Sequence, residues 1–453
     1  MKEREMRNGF TLRDYQAQHV AFHLSKRASL NYSACATGKT ATMAFLSEYY
    51  WKQEACKTVL INPISLSVKN KDEFVRFTEF DEGEIAIVKG TPKQREKIYA
   101  NPEVKVFIIG FDTFGKEWEK FPSDVKSILV DESHLGYSGH KSARTQAFYR
   151  AQKNADHITF FTATPVGHGR LDSSYSLFSV CDPRRYSTYQ RFMNYHAIYN
   201  SLGYIVGWRG AKELGEGLKR FGIGIKFEEA YKDSQPNIIS VETCEIEDDE
   251  QKRMYQEMEE SGLAELEDRY LEAKLPGVNA IRCRQILECP EVIGYTPKIY
   301  GKDELLKSHL QRIVDGAEKS ILVFACFVAE QERVLRICEE MGIRAELING
   351  SVSGMKRGEI SKRFMSCETQ VLVASEAVLS VGANFEQVDE TVFLSLDYSS
   401  GSFSQALFRG NRGTRKKPLP VTILQYKTKV EDRVWNVVQN KTKTWNEAKK
   451  ELE

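Results

Sequence analysis

The chain has 453 residues, enough for two or three domains each with its own core, and its formal net charge of +1 does not by itself point to any partner. No apolar run approaches the ~20 residues a bilayer-spanning helix needs, and the N-terminal "MKEREMRNGF" has no apolar stretch behind its charges, which argues against a secretory signal. Nine cysteines lie scattered without a CxxC pair, which excludes a disulfide framework or a zinc ribbon and leads us to expect a reducing, cytoplasmic setting.

The first distinctive segment is "SACATGKTATMAFL", residues 33–46. Its Gly38-Lys39-Thr40 ending fits a phosphate-gripping loop that opens a helix, although Ser33 and Ala36 stand where such loops usually carry glycine. Short β-rich runs follow: "KTVLIN" (57–62), "VKVFIIG" (104–110), "KSILVD" (126–131) and "HITFFT" (157–162). Helical or polar stretches separate them, which implies a parallel sheet covered on both faces. The pattern stops near Pro183. Residues 185–235 are rich in aromatic and basic side chains, and 247–275 read as one long charged helix ended by Pro276-Gly277. Strand-like runs then resume at 320–326, 344–350, 370–375, 390–396 and 420–426.

The expected fold is therefore α/β: two parallel-sheet domains in tandem, at 1–184 and 301–453, with a mixed helical insertion at 185–300. The neutral total also hides an uneven spread of charge. Residues 241–272 hold thirteen acids and three basic residues, whereas 409–450 hold twelve basic residues and three acids.

A phosphate loop works because backbone N–H groups converge on an anion at a helix N-terminus. Lys39 would add a charge and Thr40 would hold Mg²⁺. A non-glycine residue in a left-handed conformation costs on the order of 1 kcal/mol, so Ala36 is a strain candidate. The run "SILVDESHLGY" places Asp131-Glu132-Ser133-His134 at the end of an apolar strand, where ligands of α/β sheets bind. Asp131 would complete the Mg²⁺ site and Glu132 would act as general base on the attacking water. In "FFTATPVG", Thr162 and Thr164 could hydrogen-bond to Glu132 or His134 and report the nucleotide state. His19 and His23 lie one helical turn apart, but with no third ligand evident they are read as surface or packing histidines. Cys283 and Cys289 are read as buried thiols. Tyr204 and Trp208 are read as core packing, with a wedge at a duplex junction as the alternative.

The order phosphate loop, Asp-Glu-x-His, Thr-Ala-Thr resembles the superfamily 2 helicases and translocases. The resemblance extends along nearly the whole chain and is closest to the Swi/Snf-like branch. "FTLRDYQ" is similar to the family's adenine-reading segment, with Gln16 as base contact and Phe10 or Tyr15 stacking. "INPISLSVKNKDEF" resembles motif Ia of that branch, except that Asn70 replaces its tryptophan. "IIGFDTFGKE" resembles the next DNA-contacting motif, with Thr113 as its hydroxyl. "LINGSVSGMKRGEISKRF" is similar to motif IVa (Gly350, Arg357) and "VLVASEAVLSVGANF" to motif V (Ser375, Gly382, Asn384). "SQALFRGNRGTR" is similar to motif VI, with Gln405, Arg409 and Arg412.

The resemblance implies that both sheet domains are RecA-like and that the protein is an ATP- and Mg²⁺-dependent DNA helicase or translocase. ATP would be held by Gln16, Gly38, Lys39, Thr40, Gly382, Asn384 and Gln405. Catalysis would fall to Lys39, Asp131 and Glu132, with Arg409 and Arg412 as arginine fingers. His134, Thr162 and Thr164 would couple hydrolysis to movement, and Ser65, Thr113, Gly350, Arg357 and Ser375 would touch DNA. The compact layout, from adenine-reading segment to motif VI, is similar to phage or bacterial enzymes that remodel forked and branched DNA in replication, recombination and repair, which implies a bacterial or phage-infected cytosol. An RNA-dependent helicase and an ATP-gated DNA clamp with little turnover are the alternatives.

Overall fold

Seven strands build the sheet of the first unit: Ala28–Asn31 (β1), Lys57–Asn62 (β2), Ile85–Ile87 (β3), Val106–Gly110 (β4), Val125–Asp131 (β5), His157–Phe161 (β6) and Gly222–Ile223 (β7). They are taken from a computed structural model that describes residues 5–6, 10–166, 170–266, 269–273, 275–379, 384–398, 400–411 and 415–440. Every pairing is parallel, in the order β7-β1-β6-β5-β2-β4-β3. Strands of such a sheet are covered on both faces, and the side chains divide accordingly. Along β2, Val59 and Ile61 join one buried cluster with Phe107, Val130 and Phe160. Leu60, between them, joins another with Ile108, Leu129 and Phe161. The helix Lys39–Glu54, which leaves the phosphate loop, packs Met43, Phe45, Leu46 and Tyr50 into that second cluster.

Six strands build the sheet of the second unit: Asn237–Cys244 (β8), Ile321–Phe324 (β9), Ala345–Ile348 (β10), Val371–Ala374 (β11), Glu390–Phe393 (β12) and Leu419–Tyr426 (β13). All pairs are again parallel, in the order β8-β13-β12-β9-β11-β10. Leu322, Leu372, Phe393 and Val421 face one cluster, while Ile321, Val323, Val371 and Val392 face the other. Tandem RecA-like parallel-sheet units are the fold expected from the sequence. The chain divides in sequence between Lys232 and Asp233. Segment 185–300 lends β7 to the first sheet and β8 to the second.

The charged stretch 247–275 departs from the single long helix expected. A helix spans Asp249–Ser261, and Gly262 ends it at φ 71°. A hairpin of Leu263–Leu266 and Arg269–Glu272 follows. Pro276 then opens the helix Pro276–Glu288. A proline in the first turn loses no helical hydrogen bond, so this Pro-Gly pair starts a helix rather than stopping one. Among the described residues no helix is long and apolar enough to cross a membrane.

Candidate nucleotide site and nucleic-acid-facing loops

The first unit places its chemistry beyond the carboxyl ends of its strands, where parallel α/β sheets bind ligands. The phosphate loop follows β1, Ser65 follows β2, Thr113 follows β4, Asp131 closes β5, and Thr162 follows β6. β1 and β5 are each hydrogen-bonded to β6 between them, so loop, acidic pair and threonine pair emerge along one edge.

Within the loop, Lys39 Nζ donates to the carbonyls of Ser33 and Ala34, both at 3.0 Å. The ammonium therefore sits inside the turn that the backbone makes. Gly38 has φ 76°, a left-handed conformation that favours glycine, and Gln16 Nε2 lies 2.6 Å from where a Cβ would stand. Ala36 is left-handed as well, at φ 64°. The strain expected of it is thus present, and the surroundings hold it in place. Thr37 Oγ1 donates to the Ala34 carbonyl at 2.8 Å, and the Tyr231 hydroxyl donates to the Ala36 carbonyl at 2.8 Å.

Gln16 Nε2 donates to the Gly38 carbonyl at 3.2 Å, and the Tyr15 hydroxyl donates to the Thr37 carbonyl at 2.8 Å. Both thus lie against the loop. Phe10 instead lies edge-on to Phe77, with the Arg76 guanidinium over its ring.

A buried polar network supports the loop from behind. Asn31 Oδ1 accepts from the Ser33 N–H at 3.1 Å. Asn31 Nδ2 approaches His19 Nδ1 at 3.4 Å and His23 Nε2 at 3.2 Å, and His23 Nδ1 pairs with Ser29 Oγ at 2.8 Å. Burial pushes His19 down to about 4. Burial, with His19 nearby, pushes His23 down to about 3. Both rings are therefore neutral at pH 7, as packing histidines beneath a strand should be.

Asp131 is almost fully buried. Burial first, then the neighbouring Glu132, pushes its carboxyl up to about 6. Asn70 Nδ2 donates to Asp131 Oδ2 at 3.2 Å, and the Glu132 N–H donates to Oδ1 at 3.0 Å. Glu132 adopts φ 47°, a left-handed conformation uncommon outside glycine. His134 Nδ1 lies 2.8 Å from Thr162 Oγ1 and 3.5 Å from Glu132 Oε2. The Thr162 hydroxyl also accepts from the Thr164 N–H at 3.0 Å. The acidic pair and the threonine pair are thus joined through one imidazole. Oxygen donors from Asp131 and Thr40 are the hard ligands Mg²⁺ prefers, and their small number fits a metal held mainly by phosphate and water.

Three contributors escaped the sequence reading. Asn70 stood out only as a departure from the branch's tryptophan, with no role attached. Asn31 sits in "RASLNYS", a run too polar to suggest a central strand. Tyr231 is separated from Ala36 by 195 positions, and no local pattern could connect them.

In the second unit Gly350 is exposed just beyond β10, and Ser375 directly follows β11. Arg357, on the helix Gly354–Met365, donates to the Asn349 carbonyl at 3.1 Å. Gln405 and Arg409 lie one turn apart on the helix Ser400–Gly410, both largely buried. The Arg409 carbonyl accepts from the Phe385 N–H at 2.8 Å, beside the partly buried Asn384. Gly382 and Arg412 lie outside the described residues.

In the aromatic segment the two candidate residues separate. Trp208 packs against the first core cluster, as expected, but Tyr204 is 69% exposed rather than part of a core. Cys283 and Cys289 are buried thiols, and burial pushes them up to about 11 and about 12.

The family model "Type III restriction enzyme, res subunit" matches residues 9–167, and "Helicase conserved C-terminal domain" matches 301–414. A SWI/SNF-related matrix-associated actin-dependent regulator of chromatin subfamily A-like protein 1 from Xenopus tropicalis is 23% identical over 97% of this chain and 45% of its own length. An uncharacterized ATP-dependent helicase from Mycoplasma pneumoniae is 20% identical over 95% of this chain and 41% of its own. The chain thus spans less than half the length of these relatives. Among solved structures, the Hef helicase domain of Pyrococcus furiosus aligns with a TM-score of 0.57 at 16% identity, covering 93% of this chain and 97% of that one. The two family models match separate parts of the chain in order, so the chain carries a tandem pair of helicase domains, and along nearly its whole length it resembles superfamily 2 helicases of the Swi/Snf-like branch.

Proposed function

We propose that this protein is an ATP-dependent DNA translocase or helicase that acts on forked or branched DNA. The observation that carries the reading is the continuous edge formed by Lys39 in its loop, Asp131–Glu132 at the end of β5, and the His134–Thr162 link. Lys39 and the N–H groups that open the helix Lys39–Glu54 bind the triphosphate. Thr40 and Asp131 would hold Mg²⁺, which would supply positive charge to the phosphate oxygens. Glu132, held out at the end of its strand, orients and deprotonates water. Arg409 and Arg412, carried over from motif VI, stabilise charge on the transferring phosphoryl group, a contribution that can reach ~10³–10⁵ in rate. Thr162, bonded to His134, responds to the state of Glu132 and passes it to the loop that follows β6. Hydroxyl and backbone groups near Ser65, Thr113, Gly350 and Ser375 suit sequence-independent grip on phosphates.

A branched substrate rests on the resemblance to family members that remodel forks. The test is phosphate release with single-stranded DNA, duplex DNA and RNA, followed by unwinding of linear, forked, three-way and four-way substrates. DNA-stimulated turnover that Glu132→Gln abolishes, with faster unwinding of branched forms, is the expected outcome. Stimulation by RNA alone would overturn the choice of DNA. Tight ATP-dependent binding to DNA without turnover in the unaltered protein would favour a clamp.

A further inference from the structure

We infer that Asn70 is a positioning residue for nucleotide hydrolysis: its side-chain amide, hydrogen-bonded to Asp131, fixes the plane of that carboxylate and so prepares it to hold Mg²⁺. The inference rests on the nucleotide-hydrolysing reading above and adds a group that this chain uses to orient a metal ligand. Ile61 of β2 pairs with Val130 of β5, and the next residues, Asn62 and Asp131, close the two strands side by side. Two residues back, Leu60 and Leu129 face one buried cluster, and the strand period of two puts Asn62 and Asp131 on that same face.

The helix Ser67–Phe77 covers that face, with Phe74 in the cluster. Its buried residues Ser67, Asn70 and Phe74 follow the spacing of a single helical face. Ser67 Oγ donates to Asn62 Oδ1 at 3.2 Å, and Asn70 Nδ2 donates to Asp131 Oδ2 at 3.2 Å. The first turn of the helix is thus tied to the ends of both strands. Phe74 already seats the helix on the cluster, so packing alone would not call for a donor at position 70.

The Glu132 N–H holds the other carboxylate oxygen, Oδ1, at 3.0 Å. One donor on each oxygen, from two different elements, resists rotation of the group. A carboxylate has about four lone-pair sites, so about two remain for a cation and its waters. An amide suits this place because it donates a hydrogen bond without bringing charge. A lysine or arginine there would neutralise Asp131 and leave less for a cation to bind. Asn70 is 2% exposed, so water does not compete for its N–H. Removing a partner that orients a metal ligand typically costs ~10–100-fold in metal affinity or activity. Where phosphate and water carry much of the coordination, as for Mg²⁺ on a nucleotide, the lower end of that range applies.

The experiment uses the full chain with Asn70→Leu, which nearly keeps the volume and removes the donor, and with Asn70→Ala as a second variant. Ser67→Ala cuts the neighbouring tie without touching Asp131. Binding of a fluorescent ADP analogue is titrated with Mg²⁺ and repeated in EDTA, so the readout needs no turnover. Asn70→Leu should raise the half-saturating Mg²⁺ concentration about tenfold and leave the affinity in EDTA within about twofold. DNA-stimulated phosphate release should show the same shift in its Mg²⁺ requirement, and excess Mg²⁺ should restore the rate. Ser67→Ala should leave the Mg²⁺ dependence unchanged. An unshifted Mg²⁺ dependence in a folded Asn70 variant, or an equal shift in Ser67→Ala, would overturn the positioning role. Nucleotide affinity that Mg²⁺ does not change in the unaltered protein would overturn it as well. Equal losses with and without Mg²⁺, or failure of both Asn70 variants to fold, would make the residue structural and have the same consequence. Absence of DNA-stimulated phosphate release in the unaltered protein would remove the motor reading, and the nucleotide titration would still decide the role of Asn70.

Discussion

The loop end of the first sheet and the Lys302 cluster of the second bury polar groups in opposite ways. Beneath the phosphate loop the first unit buries a neutral network of Asn31, His19, His23 and Ser29. The second unit buries opposite charges against one another. Lys302, 1% exposed, donates to Glu288 Oε1 at 2.6 Å and lies 2.8 Å from Glu431 Oε2, with the Leu394 carbonyl as a further acceptor. Arg333, nearby on the helix Val328–Glu340, pairs with Asp303 at 3.1 Å. Burial pushes Glu431 up to about 8, whereas Glu288, opposed by burial but closest to Lys302, is held below the usual carboxylate range. The charges of the second unit are thus spent on one another, tying the helices Pro276–Glu288, Gly301–Val314 and Lys429–Asn440 together. Among the described residues of the first unit, Lys39 bonds only backbone carbonyls, and Asp131 bonds only an amide side chain and an N–H. Charge is left for a ligand at the loop of the first unit and used up as structure in the Lys302 cluster of the second.

The largest effects should come from breaking the ligand-facing charges. Lys39→Ala should lower DNA-stimulated phosphate release by ~10²–10³, the scale for removing one preorganised group from a transition state. Its hydrogen bonds in the folded chain are to carbonyls, so the urea midpoint should scarcely move. An unfolded Lys39→Ala protein would mean that this lysine is structural, and the comparison would fail.

Breaking the structural charges should do the reverse. Lys302→Met leaves Glu288 and Glu431 buried without their cation, and removing one partner of a buried pair costs ~3–5 kcal/mol. Urea unfolding should show that loss. Under conditions where the variant remains folded, turnover should stay near the unaltered rate. Turnover lost in a fully folded Lys302→Met protein would place this lysine in the chemistry instead.

A smaller effect tests the same contrast through pH. His309 Nδ1 lies 3.0 Å from Glu390 and its Nε2 lies 3.3 Å from Glu242, while Arg312 and Thr422 also bond to Glu390. Burial opposes the charge on His309, but the two glutamates outweigh it and raise the imidazole above 6.5. Burial likewise works against Glu390, but His309, Thr422 and Arg312 hold it below 4.5. A raised histidine stabilises fully below its unfolded value and stops as pH climbs through its folded one. A lowered glutamate stabilises above its unfolded value and stops as pH falls through its folded one. Their joint contribution is therefore greatest between about 4.5 and 6.5. His309→Gln should cost ~1–2 kcal/mol at pH 6 and less at pH 8, read from urea midpoints. An equal loss at both values would show that packing rather than charge matters there.

How much of this was legible depends on how far each contact reaches along the chain. Runs such as "KTVLIN" and "SILVD" announced themselves because strands buried on both faces are continuously apolar. β1 did not, since Ser29 and Asn31 are part of its buried polar network. The residues proposed for the site could be named from the sequence because helicase motifs are local in it. Their supports were not, because Asn70 reaches 61 positions to Asp131 and Tyr231 reaches 195 to Ala36. The Pro276 reading failed for a different reason. Proline marks a boundary but not its side, and only the observed first turn shows that a helix begins there.

The smallest effect lies where the loop departs from glycine. Ala36 is held at φ 64°, a conformation that costs an L-residue ~1–2 kcal/mol. Ala36→Gly removes that strain but gives the unfolded chain more freedom, which takes back ~0.4–1 kcal/mol. The net gain should therefore fall between zero and about 1 kcal/mol, visible as a rise in melting temperature of a few degrees at most. Tyr231→Phe removes the hydroxyl that bonds the Ala36 carbonyl and should undo a similar amount. If the alanine is simply tolerated, Ala36→Gly stabilises and leaves ATP affinity unchanged. If the strained carbonyl and its tyrosine set the loop for the anion, both substitutions should weaken ATP binding severalfold, and an Ala36→Gly/Tyr231→Phe pair should cost less than the sum of its parts.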